Sequence, residues 1–373
     1  MKRVLVTGAS NIGKAGVATI VYKWGQAFSE NEIVYDYLMQ RGLPELKFQK
    51  AIQNKGGRMF TMNNRKKGIL RTFKWIETIM KKEKYEVLHI NSDSSYIAAA
   101  YIHAAKKAGI KNIYVHSHCT QIDDINFLRR NVKTFLHRLC RPYVCKNTKM
   151  FLACSKMAGI WMFGKKSVES SRYKTIYNGV EVDKYLFRED IRKQYRKDLR
   201  IEDKFIIGCV GRFSYQKNHI FLLEIFAEYI KKNSNSLLML VGSGELYNEL
   251  KKKVLKLGIE EKVMFLGLRN DIPQLLSVMD VMVMPSKFEG LPVTMVEAQM
   301  ASLPCVVSGN ITREAKFTEN VAYVEDFCLE NWTNAIETMR NYERYQNREE
   351  REMSPFNIVK AAGELSEILL SAR

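Results

Sequence analysis

The chain has 373 residues, 46% hydrophobic and 27% charged, the balance of a soluble globular protein with room for two domains of ordinary size. No apolar run approaches the roughly 20 residues needed to cross a bilayer, and Arg3-Val4-Leu5-Val6-Thr7 is too short for a signal peptide and reads as a first strand. Seven cysteines occur without a Cys-x-x-Cys pair; Cys154, Cys209 and Cys305 lie in apolar runs and read as core residues in a reducing cytosol, not as disulfides or metal ligands.

In chain order the pattern is strand, helix, strand. Strands are expected over 3–7, 33–38, 57–61, 87–91, 112–115, 150–153 and 175–177, with helices over 17–29, 67–82, 95–108 and 126–143 among the connections. A polar, charged stretch over 178–204 reads as a linker with one helix. The pattern then restarts, with strands over 205–210, 236–241, 262–266, 281–284 and 304–307 and helices over 220–232, 246–257, 272–278 and 293–300. A charged, loop-like stretch over 342–353 precedes a last amphipathic helix over 355–370. Such alternation argues for parallel sheets covered on both faces. Two runs predict two doubly wound, Rossmann-like α/β domains, 1–177 and 178–354, with a cleft between them and a C-terminal segment 355–373.

The net charge of +19 is uneven. Residues 1–180 carry 32 Lys and Arg against 11 Asp and Glu, a net +21, whereas residues 181–373 carry 27 against 29, a net −2. A field of that kind attracts lipid head groups, polyphosphates or nucleic acid.

The most informative stretch is Lys287-Phe288-Glu289-Gly290-Leu291-Pro292-Val293-Thr294-Met295-Val296-Glu297. Pro292 suits the first turn of a helix. Glu289 then sits on the entering loop and Glu297 in the second turn. The backbone N–H groups of Gly290 and Leu291 stand at the positive end of that helix, an anion site. Two carboxylates around an anion site suit a sugar nucleotide, with hydroxyls at both ends and a diphosphate in the middle. The preceding apolar run 280–286 reads as a buried parallel strand, and ligands of open α/β sheets bind beyond the carboxyl ends of such strands.

Gly211-Arg212-Phe213-Ser214-Tyr215-Gln216-Lys217-Asn218-His219 follows the first strand of the second run. Arg212 and Lys217 flank this loop, and two cations there can neutralise a diphosphate. Gly242-Ser243-Gly244 follows the next strand, where glycines let backbone approach a ligand closely. Leu268 and Arg269, after Gly267, are candidates to line a base pocket or an ordinary tight turn.

Together these motifs resemble the retaining glycosyltransferases of the GT-B fold, family 4. The family's Gly-Arg-x(4)-Lys loop matches Gly211, Arg212 and Lys217, and its Glu-x(7)-Glu motif matches Glu289 and Glu297. The match is strong over 178–307 and weaker in the first half. The resemblance implies a GT-B architecture, with an acceptor-binding first domain, a nucleotide-sugar-binding second domain and a last helix that packs back on the first. It implies Arg212 and Lys217 on the donor diphosphate, Glu297 on the ribose hydroxyls and Glu289 on a hydroxyl of the transferred sugar. Gly290, Leu291 and Pro292 would form the anion-binding turn, with Gly242 and Gly244 beside the donor. It also implies that no metal is needed, in keeping with the absence of an Asp-x-Asp triplet, and that configuration is retained by front-face attack.

In the first half, Gly8-Ala9-Ser10-Asn11-Ile12-Gly13-Lys14-Ala15-Gly16 approaches a P-loop, but Ala15 stands where Ser or Thr should hold magnesium. The resemblance instead places this loop beside donor phosphates and acceptor, with Gly16 on the donor side and Gly13 on the acceptor side. Ala18 replaces the family's glutamate. His116-Ser117-His118 follows a strand; His116 is the better match to the family's active-site histidine and His118 the second candidate, on the acceptor side. Helix 126–143 pairs an apolar row (Phe127, Leu128, Val132, Phe135, Leu136, Leu139) with Arg129, Arg130, Lys133, Arg138 and Arg141. Lys66, Lys67, Arg71, Lys74, Lys81 and Lys82 decorate helix 67–82. Basic amphipathic helices suit anionic membranes.

The expectation is thus a cytosolic, metal-independent retaining hexosyltransferase of capsule or exopolysaccharide synthesis. A UDP-sugar is the expected donor, and a saccharide or polyprenyl-diphosphate-linked sugar the expected acceptor, met by peripheral contact with the inner membrane face. The rivals are a P-loop nucleotide hydrolase using Gly8 to Lys14 and a basic nucleic-acid-binding protein. The second lacks any aromatic-interleaved basic motif, so no nucleic acid is expected as partner.

Overall fold

Unbroken runs of buried residues build this fold. All seven residues of Ile33–Met39 and all six of Val87–Ser92 and of Phe205–Val210 are buried, which requires cover on both faces of a sheet. The computed structural model describes residues 1–13, 16–29, 31–40, 42–61, 69–344 and 347–371. Lys14, Ala15, Lys66, Lys67 and the Arg71 side chain lie outside the described residues.

Contacts divide the chain into two units. Unit 1 holds residues 1–122, 126–180 and 355–373, and unit 2 holds 123–125 and 181–354. The sequence boundary was expected after residue 177. The main division falls after Val180 instead, because Val180 pairs with the C-terminal segment: its N–H donates to Phe356 O at 2.7 Å, and its carbonyl accepts from Ile358 N at 3.0 Å. A Cβ on Gly179 would meet Ile358 Cα at 2.6 Å, so this approach needs glycine. Helix Ile358–Leu370 belongs to unit 1 and packs against helix Gly16–Ala27.

Unit 1 is a parallel sheet of β1 (Lys2–Val6), β2 (Ile33–Met39), β3 (Met59–Thr61), β4 (Val87–Ser92), β5 (Asn112–Ser117), β6 (Met150–Ala153) and β7 (Tyr173–Thr175), ordered 3-2-1-4-5-6-7. Unit 2 is a parallel sheet of β8 (Phe205–Val210), β9 (Ser236–Val241), β10 (Val263–Gly267), β11 (Val281–Met284), β12 (Cys305–Ser308) and β13 (Val321–Val324), ordered 10-9-8-11-12-13. Each sheet reverses its winding once, at β1/β4 and at β8/β11. In doubly wound sheets ligands bind beyond the carboxyl ends of the strands at such a switch point. The loops leaving β8 and β11 carry Arg212, Lys217 and Glu289.

Several expectations shift. The strand expected over 175–177 lies at Tyr173–Thr175, and β13 is a strand the sequence reading omitted. The stretch 178–204 holds two helices, Val182–Tyr185 and Glu189–Leu199. Arg192 and Arg196 of the second both pair with Asp280 at the entry to β11, so these polar residues form a capping network and not a loose linker. Arg348–Met353, expected as loop, is a short helix that buries Arg351 against Ser302 and the Phe317 ring.

Candidate active site

In unit 2 the site begins where β8 ends. Gly211 N–H donates to Val241 O at 2.9 Å and Phe213 N–H to Ser243 O at 2.9 Å, which lace the loop after β8 to the loop after β9. A Cβ on Gly242 would lie 1.9 Å from Gly211 O, and one on Gly244 2.3 Å from Phe213 O. The close approach these glycines permit is therefore loop to loop. Arg212 is exposed and pairs with Glu245 at 2.9 Å.

Lys217 turns inward. Its Nζ lies 2.7 Å from Glu289 Oε1, with the two side chains only 15% and 7% exposed. Gln216 completes the cradle: its Nε2 donates to Glu289 Oε2 at 3.0 Å and to Phe288 O at 3.0 Å, and its carbonyl accepts from Lys287 N at 2.8 Å. Asn218, in the left-handed region at φ 55, caps helix His219–Tyr229 and donates from Nδ2 to Pro285 O at 3.1 Å. The loops after β8 and β11 are thus one hydrogen-bonded body with a cation–carboxylate pair at its centre.

Pro292 is the N-cap of helix Val293–Met300, one residue before the expected first turn. Glu297, buried in that helix, accepts the Tyr185 hydroxyl at Oε1, 2.6 Å away. Burial, and then the carboxylate, push the Tyr185 hydroxyl far above its ordinary value, so it stays a donor. Hydrogen bonds to charged groups contribute about 1.5–3 kcal/mol. Tyr185→Phe is accordingly expected to lower the stability of unit 2 by about 2 kcal/mol, read from denaturant midpoints at unchanged m. An unshifted midpoint would mean that Glu297 does not depend on this donor.

The structure gathers Gly211, Arg212, Lys217, Gly242, Gly244, Glu289, Gly290 and Leu291 on the neighbouring loops after β8, β9 and β11. Leu268 is largely exposed and Arg269 is paired with Asp271 at 2.5 Å. Sequence reasoning missed Gln216, Tyr185 and Asp123. The last accepts Gln216 N–H at 3.1 Å, and its carboxyl is raised by burial against the opposing pull of that N–H and of Arg212.

In unit 1, Gly13 has φ 81 and its N–H donates to Thr19 Oγ1 at 3.0 Å, while Gly16 opens helix Gly16–Ala27. His116 corrects the expectation. It lies inside β5 and is wholly buried, in a cluster of rings with Trp24 at 4.9 Å and His118 at 4.4 Å, and so offers no surface to a ligand. His118 sits one residue beyond β5 and keeps 8% exposure. Asn91 donates from Nδ2 to Thr7 O at 3.2 Å, which turns its Oδ1 toward His118 Nε2 at 2.8 Å. That carbonyl oxygen accepts Nε2–H, leaving Nδ1 as the bare nitrogen. Burial holds His118 down to about 3, so the ring is neutral.

Two family models match: Glycosyltransferase Family 4 over residues 15–184 and Glycosyl transferases group 1 over residues 190–352. A putative glycosyltransferase of Bacillus subtilis, EpsF, is 30% identical over 319 residues, 84% of this chain and 80% of EpsF. The chain belongs to the family 4-type GT-B glycosyltransferases. This glycosyltransferase is also 27% identical, over 78% of its length and 77% of the relative's, to the Escherichia coli UDP-Gal:alpha-D-GlcNAc-diphosphoundecaprenol alpha-1,3-galactosyltransferase. Among solved structures, Anabaena HepE in complex with UDP and glucose superposes with a TM-score of 0.72 at 18% identity, over all of the glycosyltransferase and 96% of HepE. At that identity the superposition bears on the fold. The family assignment displaces the P-loop and nucleic-acid readings.

Proposed function

We propose that this glycosyltransferase moves a hexose from a UDP-sugar to a saccharide carried on a polyprenyl diphosphate, with retention and without a metal, in capsule or exopolysaccharide assembly. The observation that carries the reading is the buried Lys217–Glu289 pair with Arg212 on the same loop, at the switch point of unit 2. Arg212 and Lys217 hold the diphosphate. The N–H groups of Gly290 and Leu291, just before helix Val293–Met300, add the helix's positive end. Glu297 takes the ribose hydroxyls and Glu289 a hydroxyl of the hexose. His118 takes a second sugar hydroxyl through its neutral ring, in place of His116.

The chemistry follows from charge. As the glycosidic bond breaks, negative charge grows on the departing diphosphate, and cations held beside it stabilise it. In this reading these side chains do the work a divalent ion would do. The named donor of the Escherichia coli relative is UDP-Gal and its acceptor is diphosphoundecaprenol-linked; HepE was crystallised with UDP. A lipid carrier would hold the acceptor at a membrane face, which suits the +21 of residues 1–180. In this reading the contact is peripheral; among the described residues no helix is long and apolar enough to cross a membrane.

The test is calorimetry and thermal shift against UDP, GDP and ADP with EDTA present. UDP at about 100 times its Kd is expected to stabilise the protein by about 2.7 kcal/mol, and Glu297→Ala is expected to abolish the effect. Stabilisation only by ATP with magnesium would overturn the reading.

A further inference from the structure

Helix Phe127–Asn147 is amphipathic in the reverse of the usual sense. A helix on a soluble domain normally turns its apolar stripe to the core and its polar side to water. Here the inward side is set by His137, which accepts Ser95 N–H at 3.0 Å and stacks on Trp161 at 4.0 Å, and by buried Val144. The opposite side carries Leu128, Val132, Phe135, Leu139 and Tyr143, at spacings of four, three, four and four. Leu128 is 73%, Phe135 66% and Leu139 64% exposed. The row runs for about 24 Å along the axis at 1.5 Å per residue. Helix Lys156–Phe163, which packs beside it, adds exposed Met157 and Ile160.

The charges choose the occupant. Between Phe127 and Asn147 there are six Lys and Arg and no Asp or Glu. At 100° per residue Arg129 borders the apolar row on one side and Arg138 lies beyond its other border, while Lys146 falls on the row's C-terminal end. A second copy would bring six like charges against six. An anionic bilayer offers acyl chains to the row and phosphates to its flanks.

We propose that helix Phe127–Asn147 is a membrane-docking surface. It lies in the plane of an anionic bilayer with Leu128, Val132, Phe135 and Leu139 inserted and Arg129, Arg138 and Lys146 at the phosphates. The inference deepens the lipid-linked acceptor reading and rests on it for the purpose of the contact.

The experiment floats the full chain with vesicles of phosphatidylcholine alone or mixed with phosphatidylglycerol. The wild type is expected to bind the mixed vesicles about tenfold more than the neutral ones, with the preference falling as salt rises. Phe135→Glu with Leu139→Glu is expected to reduce binding about tenfold or more. Arg129→Gln with Arg138→Gln is expected to remove the preference for anionic lipid. These side chains face solvent, so unfolding curves and the UDP-induced shift should match the wild type, which separates this proposal from the donor reading. Three results would overturn it: equal or no flotation on the two lipids, flotation of the Phe135/Leu139 variant like the wild type, or a non-floating dimer that the variant makes monomeric. The last would assign the face to a second copy.

Discussion

Lowering the pH from 7 to 5 is expected to unfold unit 1 before unit 2. Burial holds His89 and His118 down to about 3, His137 to about 4 and His116 well below its ordinary value, all in unit 1; in unit 2 burial, with Lys217, holds His219 to about 3. A histidine depressed in the fold binds its proton only when unfolded. Its contribution to stability is therefore complete above the unfolded value near 6.5 and is lost as pH falls below it, down to the folded value. Each such group contributes a slope of about 1.4 kcal/mol per pH unit. Four give unit 1 an upper slope of about 5–6 kcal/mol per unit, against about 1.4 for the single group of unit 2. Domain stabilities are about 5–15 kcal/mol, so the larger slope exhausts unit 1 near pH 5. Trp24, Trp75 and Trp161 belong to unit 1 and Trp332 to unit 2, so tryptophan fluorescence follows unit 1 through the acid transition while hydrogen exchange in β8 and β9 reports unit 2. A single transition below pH 4, or the same slope in both units, would show that the histidines do not govern acid stability. His116→Asn is expected to flatten the unit 1 slope by about one proton's worth.

The sheets were legible because parallel strands, covered on both faces, are continuous apolar runs. β13 escaped because its four residues, Val-Ala-Tyr-Val, follow the polar stretch 312–320 with no turn signal of their own. Arg348–Met353 escaped for the converse reason: five of its six residues are charged, and only its neighbours make Arg351 a buried residue. The two histidines show the limit at a site. Sequence placed both near a strand end, but which one is covered depends on where β5 stops, and it runs through Ser117. Gly242 and Gly244 look like ligand-facing glycines in one dimension, and the adjacency of β8 and β9 turns them into packing glycines. Tyr185 and Glu297 are 112 residues apart and leave no shared pattern.

Lys217→Ala is expected to reduce sugar transfer about 100- to 1,000-fold, the effect of deleting one preorganised donor to a developing anion. The same substitution strands Glu289, a carboxylate 7% exposed. Breaking a buried pair from one side destabilises by about 3–5 kcal/mol, which is a large part of what a unit of this size has. A loss of activity alone therefore would not separate chemistry from folding. The pair offers its own control. Lys217→Met with Glu289→Gln removes both charges, keeps similar volume, and leaves the Gln216 and Phe288 backbone contacts in place. Replacing both partners of a buried pair is close to neutral, whereas removing one is not. The double variant is expected to recover most of the lost stability, seen in the denaturant midpoint, while transfer stays at the level of the single variant or below it. Recovery of activity along with stability would make the pair a structural staple and leave Arg212 as the cation that acts on the donor. Recovery of stability without activity shows that the pair acts on the donor, through Lys217 on the leaving diphosphate or Glu289 on the hexose, and is not only a structural staple. A Lys217→Arg variant that folds normally but transfers slowly would add that the site needs a compact ammonium beside Glu289 and not a planar fork.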